Sequence, residues 1–100
     1  QAVANVDAIA ATPGVDGIFV GPADLSADMG FVGQIDAPEV IVAIDHVYAR
    51  TKAAGKIVGT IVFDENDFQN QIKRGVTFLG LGGDGFLLRQ SLRTLAGKAP

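Results

Sequence analysis

Gly17-Ile18-Phe19-Val20-Gly21-Pro22-Ala23-Asp24-Leu25-Ser26 is the stretch on which the fold turns. Gly17 to Val20 reads as a short buried strand, and Gly21-Pro22 stops it. The next loop, Gly21 to Ser26, then presents Asp24. A strand that ends in Gly-Pro and offers a carboxylate from the following loop puts a hard oxygen donor at the C-terminal edge of a parallel sheet. That edge is where α/β sheets and barrels place their chemistry.

Working outward, Val3, Val6, Ile9 and Ala10 share one helical face before the strand, and Thr12-Pro13-Gly14 closes that helix. After the loop, Ser26 to Gly30 predicts a turn of helix closed by Gly30. Asp36-Ala37-Pro38-Glu39 reads as a helix start, with Asp36 as cap and Glu39 reaching back to it. The helix that follows carries Val40, Ile41, Ile44, Val47 and Tyr48 as its apolar stripe and ends at Gly55. Lys56 to Phe63 is rich in β-branched residues and nearly all apolar, the pattern of a strand covered on both faces. Asp64 caps another helix, with Asp67 as a weaker partner, Phe68 and Ile72 on one face, and Gly75 at its end. Val76 to Leu81 is the third strand, Gly82 to Gly85 a loop, and Phe86 to Leu95 a last helix with Leu88, Leu92 and Leu95 inward. Lys98-Ala99-Pro100 is a tail.

The order is therefore α-βα-βα-βα, with short connections and a βα unit roughly every thirty residues, as right-handed crossovers between parallel strands require. Three strands that are apolar on both faces, with helices on one side, leave a bare sheet face. This is the pattern of a larger sheet, or of part of an eight-stranded barrel. The expected architecture is α/β: the last three βα units of a (β/α)8 barrel, with residues 1–100 the C-terminal part of a single domain. The chain opens on Gln1 inside a helical pattern, which reads as a processed or truncated start.

Composition narrows the function. The chain has 100 residues, 48% hydrophobic and 19% charged, with net charge −3 and no cysteine. The apolar content suits a core and not a disordered chain. Without clustered Lys or Arg, a nucleic-acid surface is not expected. Without cysteine there is neither a disulfide nor a thiolate metal site. No apolar run reaches membrane-spanning length, and a cytoplasmic location is the default expectation.

Two motifs carry chemistry. Asp24 is either a ligand for a divalent cation such as Mg²⁺ or Mn²⁺ or the cap of a turn over Leu25–Met29. The N–H groups of Ala23 and Asp24, opening a helical turn, could hold a carboxylate. Gly80-Leu81-Gly82-Gly83-Asp84-Gly85 matches the spacing of a dinucleotide loop. It lacks the acidic residue after a following strand, so a tight strand-to-helix turn capped by Asp84 competes with nucleotide binding. His46, the one histidine, falls on the solvent face of its helix. No Ser or Thr has a local histidine and acid to activate it. Arg50, Lys52, Lys56, Lys73, Arg74, Arg89 and Arg93 read as solvated charge and helix-dipole partners.

Val15 to Ser26 resembles the signature of the HpcH/HpaI aldolase family, the metal-dependent 2-keto-3-deoxy-sugar-acid and 4-hydroxy-2-oxo-acid aldolases. The resemblance continues through Pro38-Glu39-Val40, Ala54-Gly55-Lys56, Gly59, Phe78 to Asp84 and Leu87-Leu88. It implies a (β/α)8 barrel of the phosphoenolpyruvate/pyruvate type. The implied reaction is class II aldol cleavage of a 4-hydroxy-2-oxo acid to pyruvate and an aldehyde, with Mg²⁺, Mn²⁺ or Co²⁺ as cofactor. By the same resemblance Asp24 is one of two metal carboxylates. Gly21, Pro22, Ala23 and Asp24 lie beside the pyruvate unit, and Ile61 lines the aldehyde side. No catalytic proton-transfer residue can be mapped onto these 100 residues. The family further implies a homo-oligomer, a hexamer whose last helix packs on a neighbouring subunit. The alternative is a non-catalytic fragment or assembly element of such a barrel.

Overall fold

The computed structural model describes residues 1–98; Ala99 and Pro100, the end of the expected tail, lie outside the described residues. Three strands, β1 (Gly17–Val20), β2 (Ile57–Val62) and β3 (Phe78–Leu81), form one parallel sheet in the order β1-β2-β3. Gly17 pairs with Ile57 and Val20 with Thr60; Gly59 pairs with Phe78 and Val62 with Leu81. The helices are α1 (Val6–Ala11), α2 (Pro22–Asp28), α3 (Pro38–Ala53), α4 (Phe68–Lys73) and α5 (Asp84–Gly97). A 3₁₀ turn over Glu65–Asp67 leads into α4.

The core lies on one face of the sheet. Val20 and Val58 meet Val6 of α1 and Val40, Ile44, Val47 and Tyr48 of α3, with Val76 beside them. Each fully buried Val or Ile in this layer contributes about 1.5–3 kcal/mol of transfer free energy. The stripe expected of α3 is therefore present, except that Ile41 is exposed and Thr51 buried. Ile9 of α1 also faces outward.

The other face is bare. Phe19, Ile57 and Phe78 project from it with 50%, 51% and 60% of their surface exposed. This is the side that a larger sheet or a closed barrel would cover. Its side chains interlock across the strands. Phe19 and Phe78 meet edge to face at 6.0 Å, on either side of Gly59 in the paired register. A Cβ at Gly59 would lie 2.9 Å from the Phe19 ring and 3.2 Å from the Phe78 carbonyl, so only glycine fits between them.

Chain reversal follows a common device. At the end of α3, Lys56 N–H donates to the Thr51 carbonyl and Gly55 N–H to Lys52, with Gly55 at φ +72°. This double bond pattern needs the left-handed conformation that glycine adopts without cost, and α4 ends the same way at Gly75. The glycine stops expected at Gly30, Gly55 and Gly75 are all observed.

Several local expectations are corrected. Gly21–Ser26 is not a loop followed by a turn from Ser26: helix begins at Pro22. Proline at the first helical position has φ preset and needs no N–H partner there, and the buried Ser26 hydroxyl donates to the Ala23 carbonyl within that turn. At α3 the cap is Ala37, and neither Asp36 nor Glu39 forms a capping box. Asp64 does cap its turn, accepting from Asn66 N–H. Asp67 instead accepts from the side chains of Asn70 and Gln71. In α4, Ile72 is exposed and Gln71 is the residue that turns in.

α5 starts at Asp84, two residues early, and Leu88, Leu92 and Leu95 do not point inward. They are 62%, 56% and 65% exposed, and no residue of α5 is buried. The helix carries an apolar stripe that no described residue covers, and the molecule is elongated, 56 × 27 × 23 Å.

Candidate active site

The C-terminal edge of the sheet carries the candidate site residues. Strand β1 leaves the core at Val20, Gly21 caps α2, and Asp24 stands third in the first turn. The reading of Asp24 as the cap of a later turn fails, because Asp24 sits inside the helix and makes no capping bond. Among the described residues its carboxylate has no hydrogen-bond or ion-pair partner, and it is exposed. The Gly21 backbone passes close beneath it: a Cβ there would come 3.4 Å from Asp24 Oδ2. Leu25 N–H is bonded to the Gly21 carbonyl, while the N–H groups of Ala23 and Asp24 belong to the open first turn of α2.

Gly21, Pro22, Ala23, Asp24 and Ile61 line one groove of about 970 Å³. The sequence-expected substrate residues are thus brought together, from two adjacent strand ends. Ile61 shares its sheet face with Gly59, Phe19 and Phe78, the bare face. Asp36 and Asp64 line the same groove. A free carboxylate at this edge is chemically suited to a hard divalent cation. It is one donor and not a cage, since no group of three or more His, Cys, Asp or Glu side chains converges among the described residues. Lys56 precedes Ile57, which pairs with Gly17 at the opposite, N-terminal end of the sheet, away from any Schiff-base role here.

The floor of the groove is a polar network that sequence reasoning missed. Tyr48, 2% exposed, donates its hydroxyl to Gln71 Oε1 at 3.0 Å. Gln71 donates to Asp67 at 3.0 Å. Arg74 lies over the Tyr48 ring at 5.0 Å and donates from Nε to Asp45 at 2.8 Å. Its Nη2 is 2.7 Å from the same oxygen, an ion contact without hydrogen-bond geometry. Arg74 is therefore a half-buried clasp between α3 and α4, where a solvated charge was expected. Burial pushes the Tyr48 phenol above its ordinary value, against smaller opposing pulls from the Thr60 hydroxyl and the Arg74 guanidinium. Thr60, 1% exposed, donates to the Val20 carbonyl at 2.9 Å. The available signals were the lone tyrosine on a buried stripe and the one hydroxyl in an otherwise apolar strand.

At the glycine motif, Gly85 N–H, at the start of α5, is bonded to the Asp84 carboxylate at 2.8 Å, which places a negative charge at the helix N-terminus. His46 is exposed on α3, as expected.

A parallel βα sheet with a free carboxylate at its C-terminal edge defines a class: an α/β protein whose chemistry sits beyond the strand ends. Solved structures narrow it. An HpcH/HpaI aldolase/citrate lyase family protein from Burkholderia cenocepacia superposes with TM-score 0.87 at 38% identity, over 96% of this chain and 37% of that one. The HpcH/HpaI aldolase of Desulfitobacterium hafniense gives 0.89 at 30% identity, over 99% and 40%. The HpcH/HpaI aldolase/citrate lyase family model matches residues 1–91, and the chain belongs to that family. Among curated relatives, the 5-keto-4-deoxy-D-glucarate aldolase of Citrobacter koseri is 48% identical over 96 residues, 96% of this chain. The hydroxypyruvate/pyruvate aldolase of Pseudomonas aeruginosa is 47% identical over 98 residues, 98% of this chain. The chain spans 37% of the length of each of these two relatives. The named relatives are aldolases, that is, carbon–carbon lyases. No helix among the described residues is long and apolar enough to cross a membrane.

Proposed function

We propose that this chain is the last three βα units of a (β/α)8 barrel, the C-terminal part of one domain. In that barrel it serves a class II aldolase that cleaves a 4-hydroxy-2-oxo acid to pyruvate and an aldehyde. The observation that carries the reading is Asp24: an exposed, unpartnered carboxylate at the sheet's C-terminal edge, in a groove with Gly21, Pro22, Ala23 and Ile61. The aldolase relatives support the reaction class, and the bare apolar sheet face supports a barrel whose other strands cover it.

Within this reading Asp24 holds a divalent cation, Mg²⁺, Mn²⁺ or Co²⁺, together with a second carboxylate from another strand. The bound cation supplies Lewis-acid stabilisation of the negative charge that develops on the 2-oxo group during cleavage. This chain's own residues do the rest of the local work. The backbone of Gly21 and Pro22 brings the turn close to the pyruvate unit, with Gly21 directly beside the Asp24 carboxylate. The open N–H groups of Ala23 and Asp24 face an anionic carboxylate group. Ile61 forms an apolar wall on the aldehyde side. The residues that move protons lie outside this chain, so its 100 residues alone are inactive, a structural part of the barrel.

The exposed stripe of α5 supports a homo-oligomer in which Leu88, Leu92 and Leu95 pack on a neighbouring subunit.

The test is pyruvate release from a 4-hydroxy-2-oxo acid with added Mg²⁺ or Mn²⁺, in the full-length protein and in this chain alone. Metal-dependent release by the full-length protein, its loss in Asp24→Ala, and no turnover by the chain alone are expected. Full activity in Asp24→Ala would remove the metal role, and turnover by the chain alone would refute the partial-site reading.

A further inference from the structure

The buried hydroxyl of Thr60 has no evident packing need for its oxygen. It sits on the covered face of β2, between Val58 and Val62, both 2% exposed. Valine has nearly the same shape, and either neighbour shows that the layer takes it. Burying a hydroxyl costs free energy unless its hydrogen bond is made. Here the bond goes to one atom, the carbonyl of Val20, at 2.9 Å. Val20 is the last residue of β1 and pairs with Thr60 in register. The next residues are Gly21, the cap of α2, and Pro22, which has no N–H to anchor the turn. Asp24 is four residues beyond the bond.

The Thr60 hydroxyl also borders Tyr48, whose own proton is committed to Gln71. With the Tyr48 proton committed to Gln71, the single Thr60 proton is the one donated to Val20. A second buried hydroxyl, that of Ser26 two residues beyond Asp24, bonds back to the Ala23 carbonyl just before it. The carboxylate rides on a turn braced by two fully buried side chains, yet among the described residues it has no hydrogen-bond or ion-pair partner.

We propose that Thr60 is a positioning residue for the metal carboxylate: its hydrogen bond to the Val20 carbonyl fixes the exit of β1 and thereby the place where Asp24 is presented. The inference rests on the reading of Asp24 as a cation ligand. It adds that affinity for the cation depends on a hydroxyl one strand away that never touches the cation.

The experiment is a titration of the full-length protein with Mn²⁺ alone, free Mn²⁺ being followed by electron paramagnetic resonance. Wild type is compared with Thr60→Val, Thr60→Ser and Asp24→Ala, and thermal unfolding is recorded in parallel without metal. Loss of one braced hydrogen bond predicts roughly five- to ten-fold weaker Mn²⁺ binding in Thr60→Val. Thr60→Ser, which keeps the hydroxyl, stays close to wild type even where the lost methyl lowers its melting temperature. Asp24→Ala loses the site. Wild-type affinity in Thr60→Val, or equal weakening in Thr60→Ser and Thr60→Val in step with their stabilities, would overturn the positioning role while leaving Asp24 as ligand. Unchanged binding in Asp24→Ala would overturn both. Should Thr60→Val fail to fold, Thr60→Cys, with a weaker donor of similar size, is expected to bind with intermediate affinity; wild-type affinity there also overturns the proposal.

Discussion

At the scale of single residues, the bare face of the sheet depends on Gly59. Two aromatic rings, Phe19 and Phe78, close over it from neighbouring strands, and the space left is smaller than a methyl group. Gly59→Ala should force one ring off its position and destabilise the protein by about 1–3 kcal/mol, the usual cost of overpacking. Denaturant unfolding measures this, and an unchanged midpoint would mean that the rings rearrange freely. Gly59 was legible in the sequence only as a glycine in an apolar strand. Which side chains press on it depends on register, and register joins residues forty positions apart.

At the scale of elements, α3 and α4 are joined by the network of Tyr48, Gln71, Arg74, Asp45 and Asp67. The Tyr48 phenol is held above its ordinary pKa of about 10 by burial. The folded state therefore binds the phenolic proton more tightly than the unfolded chain. Its contribution is fully present below about pH 10 and is lost as pH rises from there through the folded value. Wild type should lose stability between about pH 9 and pH 11 more steeply than Tyr48→Phe, which has no proton to lose. At neutral pH that substitution should cost about 1 kcal/mol for the bond to Gln71. Urea midpoints at the two pH values decide it; parallel slopes would show that Tyr48 is not the group that titrates. The helices themselves were readable from glycine stops and apolar spacing. The clasp was not, because Arg74 on its own helix looks like any terminal cation, and only the tertiary placement of the end of α4 beside α3 puts Tyr48 under it.

At the scale of the whole molecule, exposed apolar side chains concentrate on the bare sheet face and along α5. The edge strands β1 and β3 have no partner on their outer sides among the described residues. Leu92→Glu, on the exposed stripe of α5, should leave the fold of a subunit unchanged, since no residue of α5 is buried. It should shift the full-length protein to smaller assemblies by light scattering, because a charge placed in an apolar contact is costly to desolvate. An unaltered mass would exclude α5 from the subunit contact.

Legible from the residues alone were the order of strands and helices, the glycine stops, most of the buried stripe of α3 and the carboxylate at the end of β1. Those are local properties, set by side-chain spacing, by the left-handed freedom of glycine and by the fixed φ of proline. The sequence also carried the family, through a run of residues around Asp24. Tertiary structure alone decided that Thr60 reaches Val20, that Arg74 lies on Tyr48, and that Leu88, Leu92 and Leu95 stay outside. Each of these depends on how distant segments pack. A period of 3.6 shows which face of a helix is apolar, but whether that face meets this chain or another is decided by the surface available to cover it.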